Sequence, residues 1–199
     1  MNRLPLSSRR RLTAACALSL LGVVVGSAHA ADTTATPASG ARAAAALSAA
    51  DRQFVKAAAE GGLYEVAVGK LAAEKAANAD VKAFGSMLVD HHGAANEKLK
   101  KVADAHGITL PTVMPDDKQK KIDRLSRLSG EAFDREFIQT VGIADHQKDI
   151  AAFEKESRDG KSENVRGFAT ETLPTLKSHL ATAQKLRGGR GGKAASGAS

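Results

Sequence analysis

The sequence predicts an all-α fold, a four-helix bundle with a long crossover that contains a short extra helix. The composition favours closely packed helices over a β-sandwich, because 43% of the residues are hydrophobic, only 4% are aromatic, and alanine is abundant. Apolar residues recur at spacings of three, four and seven along four long segments, as they do on one face of a helix. Short, long and short connections join these segments, which is the connectivity of ferritin-like bundles.

The chain divides into four parts by composition. Residues 1–30 predict a secretory signal peptide, with a basic start, an apolar run and the cleavage pattern Ala28-His29-Ala30. Residues 31–47 are rich in small and polar residues and predict a flexible leader. The helical bundle is expected over residues 48–187, and the glycine-rich residues 188–199 are expected to be a disordered tail. We therefore expect a periplasmic or secreted protein, exported by the general or the twin-arginine route.

The distribution of charge argues against nucleic-acid binding. The formal net charge of +7 and the pI of 9.6 come from the two ends of the chain. The predicted signal holds four arginines and no acidic residue, and the segment after residue 186 holds three basic residues and no acidic one. The part between them is formally neutral. The only cysteine, Cys16, lies in the predicted signal, so the exported domain has no disulfide and no thiolate metal site.

The first two helices have recognisable ends. Ser48 opens a capping-box-like pattern, so helix 1 is expected to begin there, and Glu65 is the carboxylate on its otherwise apolar stripe. Helix 2 is expected to begin at Asn78 or Asp80. It is expected to end just before Gly107, which suits a left-handed C-cap.

The crossover helix and the last two long helices also have ends that the sequence predicts. Residues 116–128 predict a short amphipathic helix within the crossover. Helix 3 is expected to begin at Ser129 or Gly130. Ser162 is the expected N-cap of helix 4, and Pro174 inside that helix predicts a kink.

Three histidines repeat one pattern on three different helices. His91 lies three residues after Leu88 and four before Ala95, so its imidazole points along the apolar stripe of helix 2. His146 and His179 have apolar residues at the same spacings on helices 3 and 4. Each helix after the first is therefore expected to carry one inward-pointing histidine.

These residues suggest a candidate metal site. In a bundle, Glu65, His91, His146 and His179 would all face inward near the middle of their helices. Imidazole nitrogen and carboxylate oxygen suit a divalent iron, manganese or zinc ion. The alternative is that each histidine packs at a seam between helices and forms an ordinary hydrogen bond. His92 competes with His91 for the inner face, because it also lies at helical spacing from the same apolar neighbours.

Several motifs together resemble a known family. They are Gly61-x-x-x-Glu65, Met87-x-x-Asp90-His91, Gly130-x-x-Phe133-Asp134, Asp145-His146-Gln147 and Leu173-Pro174 followed by His179-Leu180. Over Ser48 to Leu186 the chain resembles the exported ferritin-like family called domain of unknown function 4142. The resemblance implies a helical bundle in the bacterial cell envelope, sometimes labelled an outer-membrane protein, without an established activity. The chain lacks the Glu-x-x-His pairs of di-iron ferritin relatives, which argues against iron storage and oxygen chemistry.

Two functions agree with these observations. The first is an exported envelope protein with a non-catalytic binding or structural role, connected with stress, because no acid, base and nucleophile set is evident. The alternative is a ferritin-like protein that binds a divalent metal through the glutamate and histidines of its core. Either protein is expected to associate with an envelope protein or with a second copy of itself. The helical periods exclude an integral outer-membrane barrel, so any outer-membrane association would be peripheral.

Overall fold

The computed structural model of the chain describes residues 46–195, and these residues form a helical bundle without strands. Its elements are α1 (Ala49–Lys75), α2 (Ala79–Ala105), α3 (Asp116–Ser126), α4 (Gly130–Phe137), a π-helical segment (Ile138–Asp145), α5 (His146–Asp159) and α6 (Glu163–Ala195). The all-α prediction is confirmed. The predicted signal peptide and all but the last residues of the predicted leader lie outside the described residues.

The predicted helix ends are largely those observed. The Ser48 hydroxyl accepts a hydrogen bond from the Asp51 backbone N–H at 3.1 Å and so caps α1. The Asn78 side chain accepts one from the Asp80 N–H at 2.7 Å and caps α2. Gly107 has a φ of +64°, the left-handed conformation expected after α2.

Two boundaries differ from the predictions. Leu47, placed in the flexible leader, is only 4% exposed and packs into the core, because it is the apolar residue next to the first capped turn. At the other end α6 continues through the glycine-rich segment to Ala195, past the predicted end of the bundle at residue 187. Pro174 lies inside α6, as predicted.

Helices α1 and α2 approach each other closely at two glycines. A Cβ atom on Gly85 would lie 2.7 Å from the carbonyl oxygen of Gly69, and one on Gly69 would lie 2.8 Å from the carbonyl oxygen of Gly85. The two backbones therefore touch, and neither position has room for a side chain.

Two buried aspartates hold the two tight turns from the opposite half of the chain. The Asp134 carboxylate on α4 accepts hydrogen bonds from the backbone N–H groups of residues 77 and 78, both 3.0 Å long. The Asp51 carboxylate on α1 accepts bonds of the same length from residues 161 and 162. Each helical hairpin thus satisfies the exposed N–H groups at the turn of the other.

The long connection runs the length of the bundle. The end of α2 lies beside the start of α6, because the Ser162 Oγ atom is 3.3 Å from His106 Nε2. The start of α4 lies beside the turn at residues 76–78, at the other end of α2. Residues 107–129, which include α3, therefore cross from one end of the bundle to the other.

The two halves repeat one pattern, with one difference. Phe54 follows the first turn-capping aspartate by three residues, and Phe137 follows the second in the same way. Val81 and Val165 then open the second helix of each half. The interval from Phe137 to Val165 is one residue longer than that from Phe54 to Val81. The π-helical segment Ile138–Asp145 lies within the longer interval, and a π-helix is the way a helix accommodates one added residue.

The core consists of two hydrophobic clusters separated by polar side chains. The fully or nearly fully buried members of the first are Tyr64, Val68, Ala72, Ala76, Val81, Phe84, Leu88, Leu125, Phe133, Phe137, Ile138, Val141, Ile143 and Ala183. Those of the second are Leu47, Val55, Ala59, Leu99, Ala103, Val165 and Phe168. Along their helices, His92, His146 and His179 fall between the two clusters.

A buried carboxyl pair near the second turn predicts an unusual pH dependence. Burial, followed by the hydrogen bond and the charge of Asp51, raises the pKa of Glu156 to about 6. The unfolded chain has a glutamate pKa of about 4.3, so stability is lost as the pH rises from there through about 6. The Glu156→Gln variant keeps a donor to Asp51 without the charge. We expect its melting temperature to exceed that of the wild type by about 2 °C at pH 7.5 and by less at pH 4.5. An equal difference at both pH values in calorimetry would contradict this.

Candidate metal centre

The π-helical segment sets the orientation of His146. The Nδ1 atom of His146 lies 2.9 Å from the backbone carbonyl oxygen of Val141. A carbonyl only accepts, so Nδ1 carries the hydrogen. Burial lowers the pKa of the fully buried His146, so its imidazole is neutral and its Nε2 atom carries a lone pair.

His179 forms hydrogen bonds to the buried His146 on one side and to the exposed His91 on the other. Its Nδ1 atom is 3.1 Å from His146 Nε2, and its Nε2 atom is 2.8 Å from His91 Nδ1. Burial and then the neighbouring imidazoles lower the pKa of His179 to about 3, so it too is neutral. A hydrogen-bonded chain therefore runs from the exposed His91 through His179 to His146 and ends on the Val141 carbonyl.

His92 completes a group of three buried imidazoles. Its ring centroid lies 5.2 Å from that of His179 and 5.7 Å from that of His146. The buried Nε2 atom of His92 has no hydrogen-bond partner. Burial, followed by the neighbouring imidazoles, lowers the pKa of His92 well below its usual value. One nitrogen from each of these three rings lies within 4.8 Å of the other two.

Of the four predicted residues, His91, His146 and His179 lie in one hydrogen-bonded chain, and of these only His146 and His179 belong to the buried group of three. Of the two adjacent candidates on α2, His92 lies in the buried group and His91 does not. Both have helical spacing to the same apolar residues, so the local pattern did not separate them. The choice depends on where α6 packs, and His91 instead becomes the exposed partner of His179.

Glu65 is buried with a different set of neighbours. It is 1% exposed, and neither carboxyl oxygen has a hydrogen-bond partner. Burial, then the charges of Asp149 and Asp145, raises the pKa of Glu65 well above its usual value, which favours its protonated form. Among the described residues, the metal-ligand group contains the three histidines without Glu65. Asp149 is its counterpart in the second half, because each precedes its helix-opening valine by the same interval.

The crossover helix α3 is fastened directly beside the imidazoles. The Tyr64 hydroxyl donates to Asp145 Oδ2 at 3.2 Å, and Lys121 Nζ lies 2.7 Å from Asp145 Oδ1. Lys118 Nζ lies 4.9 Å from the centre of the Tyr64 ring. Asp145 immediately precedes His146, so these contacts hold the end of the π-helical segment in place. Sequence reasoning did not find this tether, because it joins residues far apart in the chain.

Comparisons with known proteins identify a family and a fold. The model of the family described as "Domain of unknown function (DUF4142)" matches residues 36–186. No curated protein matches the chain significantly. The crystal structure of a DUF305 fragment from Deinococcus radiodurans is similar, with a TM-score of 0.63 and 14% identity, and covers 72% of this chain and 98% of the fragment. At that identity the likeness concerns the fold alone.

Over the described residues, no helix combines enough length with enough apolar character to cross a bilayer.

The hydrogen-bond chain predicts the tautomer and charge of two histidines. In metal-free protein, nitrogen NMR should show His146 as the neutral Nδ1–H form at pH 7, because its Nδ1 donates to a carbonyl. His179 should stay neutral down to about pH 5, since its pKa is about 3. Because these pKa values are lowered on folding, the contribution of these two histidines to stability should fall as the pH drops below about 6.5. Protonation of His179 near pH 6 in the folded protein would contradict the assignment.

Proposed function

The chain belongs to the family of domain of unknown function DUF4142, and we propose that it is a non-catalytic, exported protein that holds one divalent metal ion through His92, His146 and His179. The observation that carries the proposal is the meeting of three buried, neutral imidazoles, one from each of α2, α5 and α6. Neutral imidazole is the form that binds metal. The buried Nε2 atom of His92 has no hydrogen-bond partner, and such an atom is costly to leave without a ligand.

The spacing of the nitrogens supports a shared ion. Two nitrogens that each lie about 2.0–2.1 Å from a tetrahedral ion are about 3.3 Å apart. His146 Nε2 and His179 Nδ1 are 3.1 Å apart. The third nitrogen lies within 4.8 Å of both, so a small rotation of the His92 ring completes the set.

The proton positions support the same arrangement. His146 Nε2 carries a lone pair directed at His179 Nδ1. Without an ion, His179 must place its hydrogen between these two atoms. When an ion takes that place, His179 can carry the hydrogen on Nε2 and donate it to His91. His91 is then an outer partner that orients a ligand, as metal-binding histidines usually require.

The donor set favours zinc over the other two candidate metals. Three imidazoles with one open position form a common zinc arrangement, whereas manganese prefers oxygen ligands. Glu65, the predicted carboxylate ligand, is not a member of the metal-ligand group among the described residues, and burial favours its protonated form. We therefore assign the three histidines as ligands and leave iron and manganese as the weaker alternatives.

The cellular setting is also part of the proposal. The predicted signal peptide supports delivery to the periplasm or outside the cell, with peripheral association at the outer membrane. The crossover from one end of the bundle to the other supports the ferritin-like four-helix connectivity. An envelope protein or a second copy of the chain remains the predicted partner, and no nucleic acid is expected.

A purely structural role is the second candidate. The hydrogen bonds of His146 and His179 form a continuous chain without an ion. Such a chain could hold α2, α5 and α6 together in an envelope protein whose surface binds a partner. The unpartnered Nε2 atom of His92 is the observation that favours metal binding over this role.

Replacement of His146 tests the ion directly. We expect the purified wild-type protein to bind one zinc ion and to melt at a lower temperature after treatment with a chelator. The His146→Ala variant should bind zinc more than about 100-fold more weakly, because it loses one of three ligands. His106→Ala is the matched control, since His106 lies at the end of α2 away from the cluster. Elemental analysis and titration calorimetry that find no zinc in the wild type would leave only the structural role.

The adjacent pair on α2 gives a second test. His91→Ala should weaken zinc binding by about 10- to 100-fold, the range for an outer hydrogen-bond partner of a ligand. His92→Ala should weaken it further, because it removes a ligand. The comparison needs only the two dissociation constants. A larger loss for His91→Ala than for His92→Ala would exchange their roles and restore His91 as the ligand predicted from the sequence.

A further inference from the structure

A cavity of about 80 Å³ lies between α1, α2, α5 and α6. Most of its wall is apolar, and the rings of Phe54, Phe153 and Phe168 all line it. These three rings also contact one another, with centroids 4.9 Å, 5.8 Å and 6.5 Å apart. The cavity therefore has one continuous aromatic side.

A single charged side chain, Asp149, lies on the wall among the described residues. His92 also lines the cavity, but burial lowers its pKa well below the usual value, so its imidazole is neutral. Lys121 and Lys148 pair with another carboxylate, because their Nζ atoms lie 2.7 Å and 4.0 Å from Asp145 Oδ1. The wall thus carries one negative charge and no positive charge from the described residues to balance it.

The Asp149 carboxylate is ionised under ordinary conditions. Burial raises the pKa of Asp149 to about 6, so most of it is charged at about pH 7.5. The apolar wall screens this charge less effectively than water does. A small cation in the cavity would therefore be attracted to Asp149, and an anion would be repelled by it.

The cavity is small and opens to solvent. Ala57 on α1 and Ala152 on α5 line it and are both exposed, so they mark its outer side. An engineered apolar cavity of about 150 Å³ holds benzene, so this one suits about three non-hydrogen atoms. Gly61 keeps the space open, because a Cβ atom there would have nothing within 4 Å.

We infer that this cavity binds one short primary alkylammonium ion, with the ammonium group on Asp149 and the alkyl part against the phenyl rings. An ammonium group has three donors, and the Asp149 carboxylate and the Asn96 side-chain oxygen are acceptors on the wall. Aromatic rings also attract cations. The inference goes beyond the proposed metal function and does not depend on it.

A metal ion held by His92 would oppose the ammonium ion, because both are positive and His92 lines the cavity. Each ligand should then lower the affinity of the protein for the other. The measurements below therefore use the full chain after treatment with a chelator. A failure of the metal function leaves them unchanged.

Ethylammonium and ethanol form a matched pair of probes, because they share the ethyl group and only ethylammonium is charged. Titration of each at about pH 7.5 is followed by the NMR shift of the Gly61 amide on the cavity wall. We expect ethylammonium to bind with a millimolar dissociation constant, since three non-hydrogen atoms bind no tighter than about 0.5 mM. Ethanol should bind at least about 10-fold more weakly, because it lacks the charge-assisted hydrogen bond. Equal affinities, or no saturable shift with ethylammonium, would overturn the inference.

Two variants locate the bound ion. Asp149→Asn keeps the shape of the side chain and should weaken ethylammonium binding at least about 10-fold. Asp159→Asn is its control, because it removes the same charge from an exposed position of α5 that does not line the cavity. Gly61→Leu should fill the space and abolish binding, whereas Gly167→Leu, another helical glycine with nothing within 4 Å, should not. Wild-type affinity in Asp149→Asn or in Gly61→Leu would place the ion elsewhere and contradict the inference.

Discussion

The bond between His146 Nδ1 and the Val141 carbonyl determines the chemistry of the whole polar interior. It places the hydrogen on one nitrogen and therefore directs a lone pair from the other toward His179. His179 must therefore carry its hydrogen on Nδ1, and His91 must then donate from its Nδ1 atom to His179 Nε2. One backbone acceptor thus sets the state of three rings across three helices. The bond depends on the π-helical segment, which brings this carbonyl within reach of the ring.

The two halves of the chain are similar where the fold is stabilised and differ where the site lies. The turn-capping aspartates and the opening valines repeat, and so do the carboxyl groups of Glu65 and Asp149. The histidines do not repeat, because His92 and His179 have no histidine counterpart in the other half. The added residue of the π-helical segment occurs only in the second half. The scaffold therefore repeats between the two halves, whereas the cluster of imidazoles does not.

Much of the fold follows from local pattern, and less of the site does. The caps at Ser48 and Asn78 and the C-cap at Gly107 depend on neighbouring residues, so sequence alone locates them. The tether to α3 joins distant parts of the chain and leaves no local pattern. Local pattern does not separate His91 from His92 for the same reason, since which of them is buried depends on the position of α6. The π-helical segment was also missed, because its residues have an ordinary helical composition.

The tether between α3 and Asp145 connects a helix at the surface of the protein to the polar interior. Lys121 and Tyr64 hold the residue directly before His146, while other side chains of α3 face water. Anything that lifts this short helix from the bundle also frees the Asp145 carboxylate and loosens the segment that orients the imidazole. Detachment of this one helix of three turns would therefore reach the segment that orients His146 without opening the bundle.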